Sequence, residues 1–155
     1  MVEYVHATSN DHFDVARKLF TEYATWLNVD LCFQHFDSEL ENLENIYAPP
    51  NGDLILCKDA GEYIGCVGIR HFSDTVAEMK RLYVKPGARK SGIGTSLVKE
   101  AELSAMKKGY MEIKLDTLNT MITAVDLYKK NGYKETESYY NNPLAGVVYF
   151  SKKLV

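Results

Sequence analysis

The sequence predicts a mixed α/β fold built on a largely antiparallel sheet of six or seven strands. Three observations predict it. Strand-like and helix-like patterns follow one another in the order β-α-α-β-β-β-α-β-α-β-β. Three consecutive strands in the middle are joined by turns too short for a crossover, which makes them an antiparallel meander. A strand at 76–84 then runs through a glycine-bearing loop into a helix that leads to another strand, a unit whose two strands should lie parallel with a right-handed connection. With 155 residues the chain has the length of one domain, 1–155, burying roughly two-thirds of its unfolded surface.

Each element has a local reason. Val2 to Ala7 is a short apolar run suited to a first strand. Thr8, Ser9, Asn10 and Asp11 offer N-caps for a helix in which Ala16, Leu19, Phe20, Tyr23 and Leu27 recur at helical spacing. A second helix is expected from about Ser38 to Tyr47, with Leu40, Leu43 and Tyr47 on one side and Glu39, Glu41 and Glu44 on a solvated face. Between the two helices lies Leu31-Cys32-Phe33-Gln34-His35-Phe36, whose phenylalanines can pin a loop to the core. Pro49-Pro50-Asn51-Gly52 breaks the chain before the strand at Leu54 to Cys57. Asp59-Ala60-Gly61-Glu62 turns it back into Tyr63 to Arg70, and the strand Val76 to Val84 completes the meander.

Val84 is followed by Lys85-Pro86-Gly87, which stops the strand, and from Ile93 the residues Ile93, Leu97, Ala101 and Ala105 repeat every four positions as one buried helical stripe. Lys107, Lys108 and Gly109 end that helix. Met111 to Thr117 alternates apolar and polar residues, as a strand with one buried face does. A further helix spans about Ile122 to Lys130 and stops at Asn131-Gly132. Tyr133 to Thr136 is a short sixth strand, Tyr139 to Pro143 a polar aromatic loop, and Val147 to Phe150 opens a last strand that runs toward Leu154.

Composition excludes several functions. A net charge of −3 argues against a nucleic-acid surface, which carries a basic excess. Without a long apolar run or a charged-then-apolar leader, the chain is expected to be neither membrane-spanning nor exported. Cys32, Cys57 and Cys66 are odd in number and lack metal-ligand spacing, so they read as reduced thiols of a cytoplasmic protein with no metal.

The loop at Arg89–Thr95 carries the chemistry. A helix N-terminus presents unpaired N–H groups and about half a positive charge, and Gly92 and Gly94 remove the Cβ atoms that would keep a polyanion from them. Arg89 and Lys90 add cationic side chains. A P-loop is excluded, because Ile93-Gly94 stands where Lys-Ser/Thr must follow. A dinucleotide fingerprint fails too: Leu97 occupies the third glycine position, and although Asp116 lies at a suitable distance for a ribose, the loop is wrong.

Arg89-Lys90-Ser91-Gly92-Ile93-Gly94 resembles the Arg/Gln-x-x-Gly-x-Gly/Ala signature of the GNAT superfamily of acyl-CoA-dependent N-acetyltransferases. The preceding Arg81-Leu82-Tyr83-Val84-Lys85-Pro86 is similar to the family's strand before the loop, and Ala124-Val125-Asp126-Leu127-Tyr128-Lys129-Lys130-Asn131-Gly132-Tyr133 resembles its Ala-x-x-Leu-Tyr-x-x-x-Gly-Phe segment. Met121 stands where the family usually has Asn.

The resemblance implies the GNAT acyl-CoA N-acyltransferase fold, with helices on both faces of the sheet and the fourth and fifth strands splaying into a V. It implies acetyl-CoA as co-substrate, its pyrophosphate on Arg89, Lys90, Ser91, Gly92, Ile93, Gly94 and Thr95, and its pantetheine along Leu82, Tyr83 and Val84 and beside Ala124. Tyr128 would protonate the departing thiolate, and an N–H near Leu82 or Tyr83 would hold the oxyanion. Glu78 is similar to the glutamate with which some branches deprotonate the amine. Phe33 in the inter-helix segment and Tyr139 and Tyr140 in the late loop are the expected acceptor-side residues.

The expected reaction is direct transfer of acetyl to a primary amine of a small molecule or peptide. The alternative is a non-catalytic acyl-CoA sensor of the same fold, which would lack the phenolic acid that Tyr128 supplies. Homodimers are common among such proteins, although no interface follows from one chain.

Overall fold

In the computed structural model, residues 1–31, 34–89 and 92–154 are described. The expected Phe33, Lys90 and Ser91 contacts lie outside them. Strand β1 (Val2–His6) leads into helix α1 (Asn10–Leu27), where a reciprocal cap satisfies two end groups. Ser9 Oγ accepts from the His12 amide at 3.2 Å, and His12 Nδ1 accepts from the Ser9 amide at 3.4 Å.

The single helix expected at 38–47 is two short ones, α2 (Phe36–Glu41) and α3 (Leu43–Ile46). Asn42 is the reason. Its side-chain Nδ2 donates to the Ser38 carbonyl at 2.8 Å, the acceptor its own amide would use in a continuous helix, and that amide bonds Glu39 instead at 3.0 Å.

Strands β2 (Asp53–Asp59), β3 (Glu62–His71) and β4 (Val76–Val84) form the antiparallel meander, and β1 adds to the outer edge of β2. After helix α4 (Ile93–Lys107) comes β5 (Glu112–Leu118), parallel to β4. Helix α5 (Ile122–Lys130) precedes β6 (Lys134–Thr136) and β7 (Val147–Lys153), and β7 inserts between β5 and β6 to give the sheet order β1-β2-β3-β4-β5-β7-β6. Both faces are covered. Ile55, Val67 and Ile69 pack with Leu97, Val98 and Ala101 of α4, while Leu54, Leu56 and Cys66 pack with Phe13, Leu19 and Phe20 of α1. The period-2 alternation along β2 distributes its side chains between these two cores.

Two irregularities in β4 position the site. Its parallel pairing with β5 is confined to Val76–Glu78 against Glu112–Lys114, whereas β5 pairs with β7 along its whole length. The sheet therefore splits beyond Glu78. In addition, Gly68 pairs with Lys80 and Cys66 with Tyr83, so Arg81 and Leu82 together oppose the single residue Val67. This is a β-bulge, with Arg81 at φ 61.

A buried ion pair holds the bulge. Arg81 Nε and Nη2 donate to the two Glu39 carboxylate oxygens at 3.1 and 2.8 Å, and the Tyr47 hydroxyl donates to Glu39 at 2.9 Å. The solvated face expected for Glu39 is thus corrected: only 3% of it is exposed, because Arg81, distant in sequence, supplies its counter-charge. Burial alone would raise the Glu39 pKa, but the hydrogen bonds and charge of Arg81 outweigh it and hold the carboxyl below its usual range.

Candidate active site

The split between β4 and β5 opens a cavity of about 640 Å³. At one end stands the N-terminus of α4. Gly92 precedes the helix at φ 74, a left-handed conformation in which side chains are strained, and a Cβ built there would meet nothing within 4 Å. Among the described residues the first helical bond runs from the Ser96 amide to the Gly92 carbonyl at 3.1 Å, and no side chain caps the helix. Among the described residues, the amides of Ile93, Gly94 and Thr95 accordingly have no protein acceptor. At Gly94 a Cβ would come within 3.3 Å of Leu127 Cδ2, so glycine there lets α4 and α5 approach. The Ile93 side chain is buried in the core, which leaves only its backbone for a ligand.

Arg89 is fixed beside this end. Its Nε donates to the Val84 carbonyl at 2.8 Å, and its guanidinium lies 4.2 Å from the Trp26 ring centroid. That bond occupies one lone pair of a carbonyl expected to serve the pantetheine. Leu82, Tyr83 and Val84 line the cavity along β4, with Ala124 and Leu127 of α5 across from them.

Tyr128 lines the cavity. Its ring packs on Tyr133 and Phe150 at 5.8 and 6.2 Å, and its hydroxyl has no hydrogen-bond partner among the described residues. Burial, with smaller contributions from Tyr23 and Asp116, pushes its pKa upward, so the phenol stays protonated throughout the neutral range.

The far end is built from side chains of several elements. Asp116 Oδ2 accepts from the Tyr140 hydroxyl and from Asn142 Nδ2, the latter at 2.7 Å. Gln34 donates to the Tyr140 hydroxyl at 2.6 Å, and Lys80 Nζ donates to Gln34 Oε1 at 3.4 Å. Lys80, Gln34, Asp116 and Asn142 all line the cavity.

Glu78 does not. Its carboxylate accepts from the Tyr139 hydroxyl at 2.7 Å, and the acids that line the cavity are Asp116 on β5 and Asp126 on α5. Glu78, expected at the acceptor, is thus held by Tyr139 of the aromatic loop. Tyr139 and Tyr140, expected on the acceptor side, hold the carboxylates of Glu78 and Asp116 through their hydroxyls. Tyr23, Trp26 and Lys80 were not identified from sequence as site residues; Gln34 and Asn142 lie in the inter-helix segment and late loop expected on the acceptor side, but were not singled out. Only Trp26, the sole tryptophan and half-exposed on α1, carried any local signal.

The comparison with known families follows this geometry closely. The acetyltransferase (GNAT) domain model matches residues 50–135, from before β2 through β6. The chain belongs to the GNAT acetyltransferases. An uncharacterized N-acetyltransferase of Schizosaccharomyces pombe is 44% identical to this GNAT enzyme over 138 residues, 88% of this chain and 85% of the relative. A GNAT family acetyltransferase structure from Staphylococcus aureus superposes with a TM-score of 0.83 at 18% identity, covering 100% of both chains. Another from Elizabethkingia anophelis, with acetyl-CoA bound, gives a TM-score of 0.72 at 22% identity over 98% of this chain and 97% of that one.

Among the described residues of this GNAT chain, no three His, Cys, Asp or Glu side chains gather as a metal site would need, and no helix is long and apolar enough to cross a membrane. Cys57 and Cys66 are free and buried.

Proposed function

We propose that this enzyme moves acetyl from acetyl-CoA directly to a primary amine. The observation that carries the reading is the continuity of one cavity from the unpaired α4 amides to the Tyr128 hydroxyl and on to Asp116. The amides of Ile93, Gly94 and Thr95 suit the coenzyme diphosphate, with Arg89 adding positive charge. The open edge of β4 beyond its pairing with β5 suits the extended pantetheine, as an added strand.

The residues then have separable tasks. As the amine nitrogen attacks the thioester carbonyl, a C–N bond forms and the C–S bond breaks. Tyr128 gives its proton to the departing sulfur and regains one from solvent. Asp116 accepts the proton that the acceptor ammonium must lose, held in place by Tyr140 and Asn142. Glu78, beneath Tyr139, supports that wall. A backbone N–H at the Arg81–Leu82 bulge is the donor suited to the oxyanion.

Titration calorimetry with acetyl-CoA, followed by a thiol-release assay on adding primary amines, tests the reading. Binding together with amine-dependent release is expected. Acetyl-CoA that binds without any amine-dependent release, or does not bind, contradicts it.

A further inference from the structure

Lys80 and Arg81 are adjacent and both buried, with 9% and 5% exposed, yet the fold treats them differently. Arg81 has a bidentate carboxylate partner in Glu39. Lys80 has only the neutral Gln34 Oε1, at 3.4 Å; among the described residues no carboxylate lies within 4.0 Å of its ammonium. A buried cation without a direct ion pair is unfavourable: burial and the neighbouring Arg81 lower its pKa, and the more distant charges of Glu78, Asp116 and Glu39 offset this only in part. Both residues line the cavity, but the Arg81 guanidinium is committed to Glu39, whereas an incoming anion can reach the Lys80 ammonium.

Asp116 is its counterpart in the same cavity. Both donors to its carboxylate, Tyr140 and Asn142, use Oδ2, and among the described residues Oδ1 receives none. The two charges feel each other but form no direct ion pair. Gln34 and Tyr140 bridge them in one hydrogen-bonded chain, Lys80 to Gln34 to Tyr140 to Asp116, which fixes their separation. A side-chain amide suits that place because it accepts from the ammonium on one side and donates to the phenol on the other.

We infer that the acceptor is a small amine that also bears a carboxylate, an amino acid or close analogue, with Lys80 binding the carboxylate and Asp116 the amino group that becomes acetylated. The inference rests on the acetyl-transfer reading above and narrows its acceptor. A polyamine would bring a second positive charge toward Lys80 and leave that ammonium without a counter-ion, so the pocket selects against it.

The test uses acceptor pairs that differ only in the carboxylate: ornithine against putrescine, lysine against cadaverine, methionine against 3-(methylthio)propylamine. Thiol release from acetyl-CoA should favour the carboxylate-bearing member by about 10- to 100-fold in kcat/KM, the range of one charge-assisted hydrogen bond. Lys80→Met should erase that preference by raising KM for the carboxylate-bearing member, and Lys80→Arg should restore part of it. Gln34→Leu, which leaves both charges but removes the bridge, should weaken the preference less.

Equal kcat/KM within each pair in the wild type overturns the inference, as does a preference that survives Lys80→Met. A collapse of kcat for both members in Lys80→Met also overturns it, since that would make Lys80 a proton-transfer group. Calorimetry separates the two levels. Acetyl-CoA binding with no acetylation of any pair sinks the inference and leaves the coenzyme site standing, whereas loss of acetyl-CoA binding in the wild-type enzyme sinks the acetyl-transfer reading itself.

Discussion

The two ends of the cavity are made of different materials. The α4 end is backbone: three consecutive amides opened by Gly92 and kept close to α5 by Gly94, all within one turn of chain. The β5 end is side chain: Lys80 from β4, Gln34 from the segment before α2, Asp116 from β5, and Tyr140 and Asn142 from the loop before β7. The difference teaches where the chemistry is fixed and where it can vary. A backbone cradle offers an anion the same amides whatever the neighbouring side chains, whereas a pocket of side chains changes with any one of them.

The comparison can be broken most forcefully from beneath the β4 bulge. Glu39→Ala leaves Arg81 buried without its partner and should cost about 3–5 kcal/mol in chemical denaturation. Because the Glu39 pKa is depressed in the folded state, its contribution is present above the unfolded carboxylate pKa of about 4.3 and is lost as pH falls through the lower folded value. The pH dependence of unfolding in the wild type, flattened at the acid end in Glu39→Gln, checks the sign.

The next largest effect belongs to the side-chain end. Asp116→Asn removes the base and should lower kcat/KM at neutral pH by about 10³-fold while acetyl-CoA binding stays intact. At the junction, Tyr128→Phe should lower kcat by on the order of 10²-fold with little change in KM for acetyl-CoA, measured at saturating amine. The backbone end should respond in binding rather than in rate. Gly92→Val places a branched side chain at a positive φ beside the free amides and should weaken acetyl-CoA binding about tenfold by calorimetry, with kcat at saturation nearly unchanged.

The same contrast explains what the sequence made legible. The strand–loop–helix unit and the meander were readable because their signals are local, alternation and glycine spacing, whereas Tyr128 was named only through the resemblance of a segment of ten residues. The parallel placement of β5 beside β4 followed from the handedness of the crossover, and the structure has it. Glu39 was misread because its counter-charge sits 42 residues away, and a lone carboxylate on a short helix looks like any solvated one. The split of the second helix was written in Asn42, whose side chain competes for the Ser38 carbonyl, but that competition is weak evidence until the neighbours are placed. Asp116 was not named as a base for a related reason: which strand acids line the cavity depends on where β4 and β5 part, and no local pattern marks that point. Lys80, Gln34 and Asn142 meet only when β4, the inter-helix segment and the late loop come together.

The most direct measurement is a crystal structure of the enzyme with acetyl-CoA. The account predicts diphosphate oxygens at about 3 Å from the amides of Ile93, Gly94 and Thr95, pantetheine along β4, and the thioester sulfur beside the Tyr128 hydroxyl. A coenzyme seated away from Gly92, or one whose sulfur is separated from Tyr128 by protein, would contradict it.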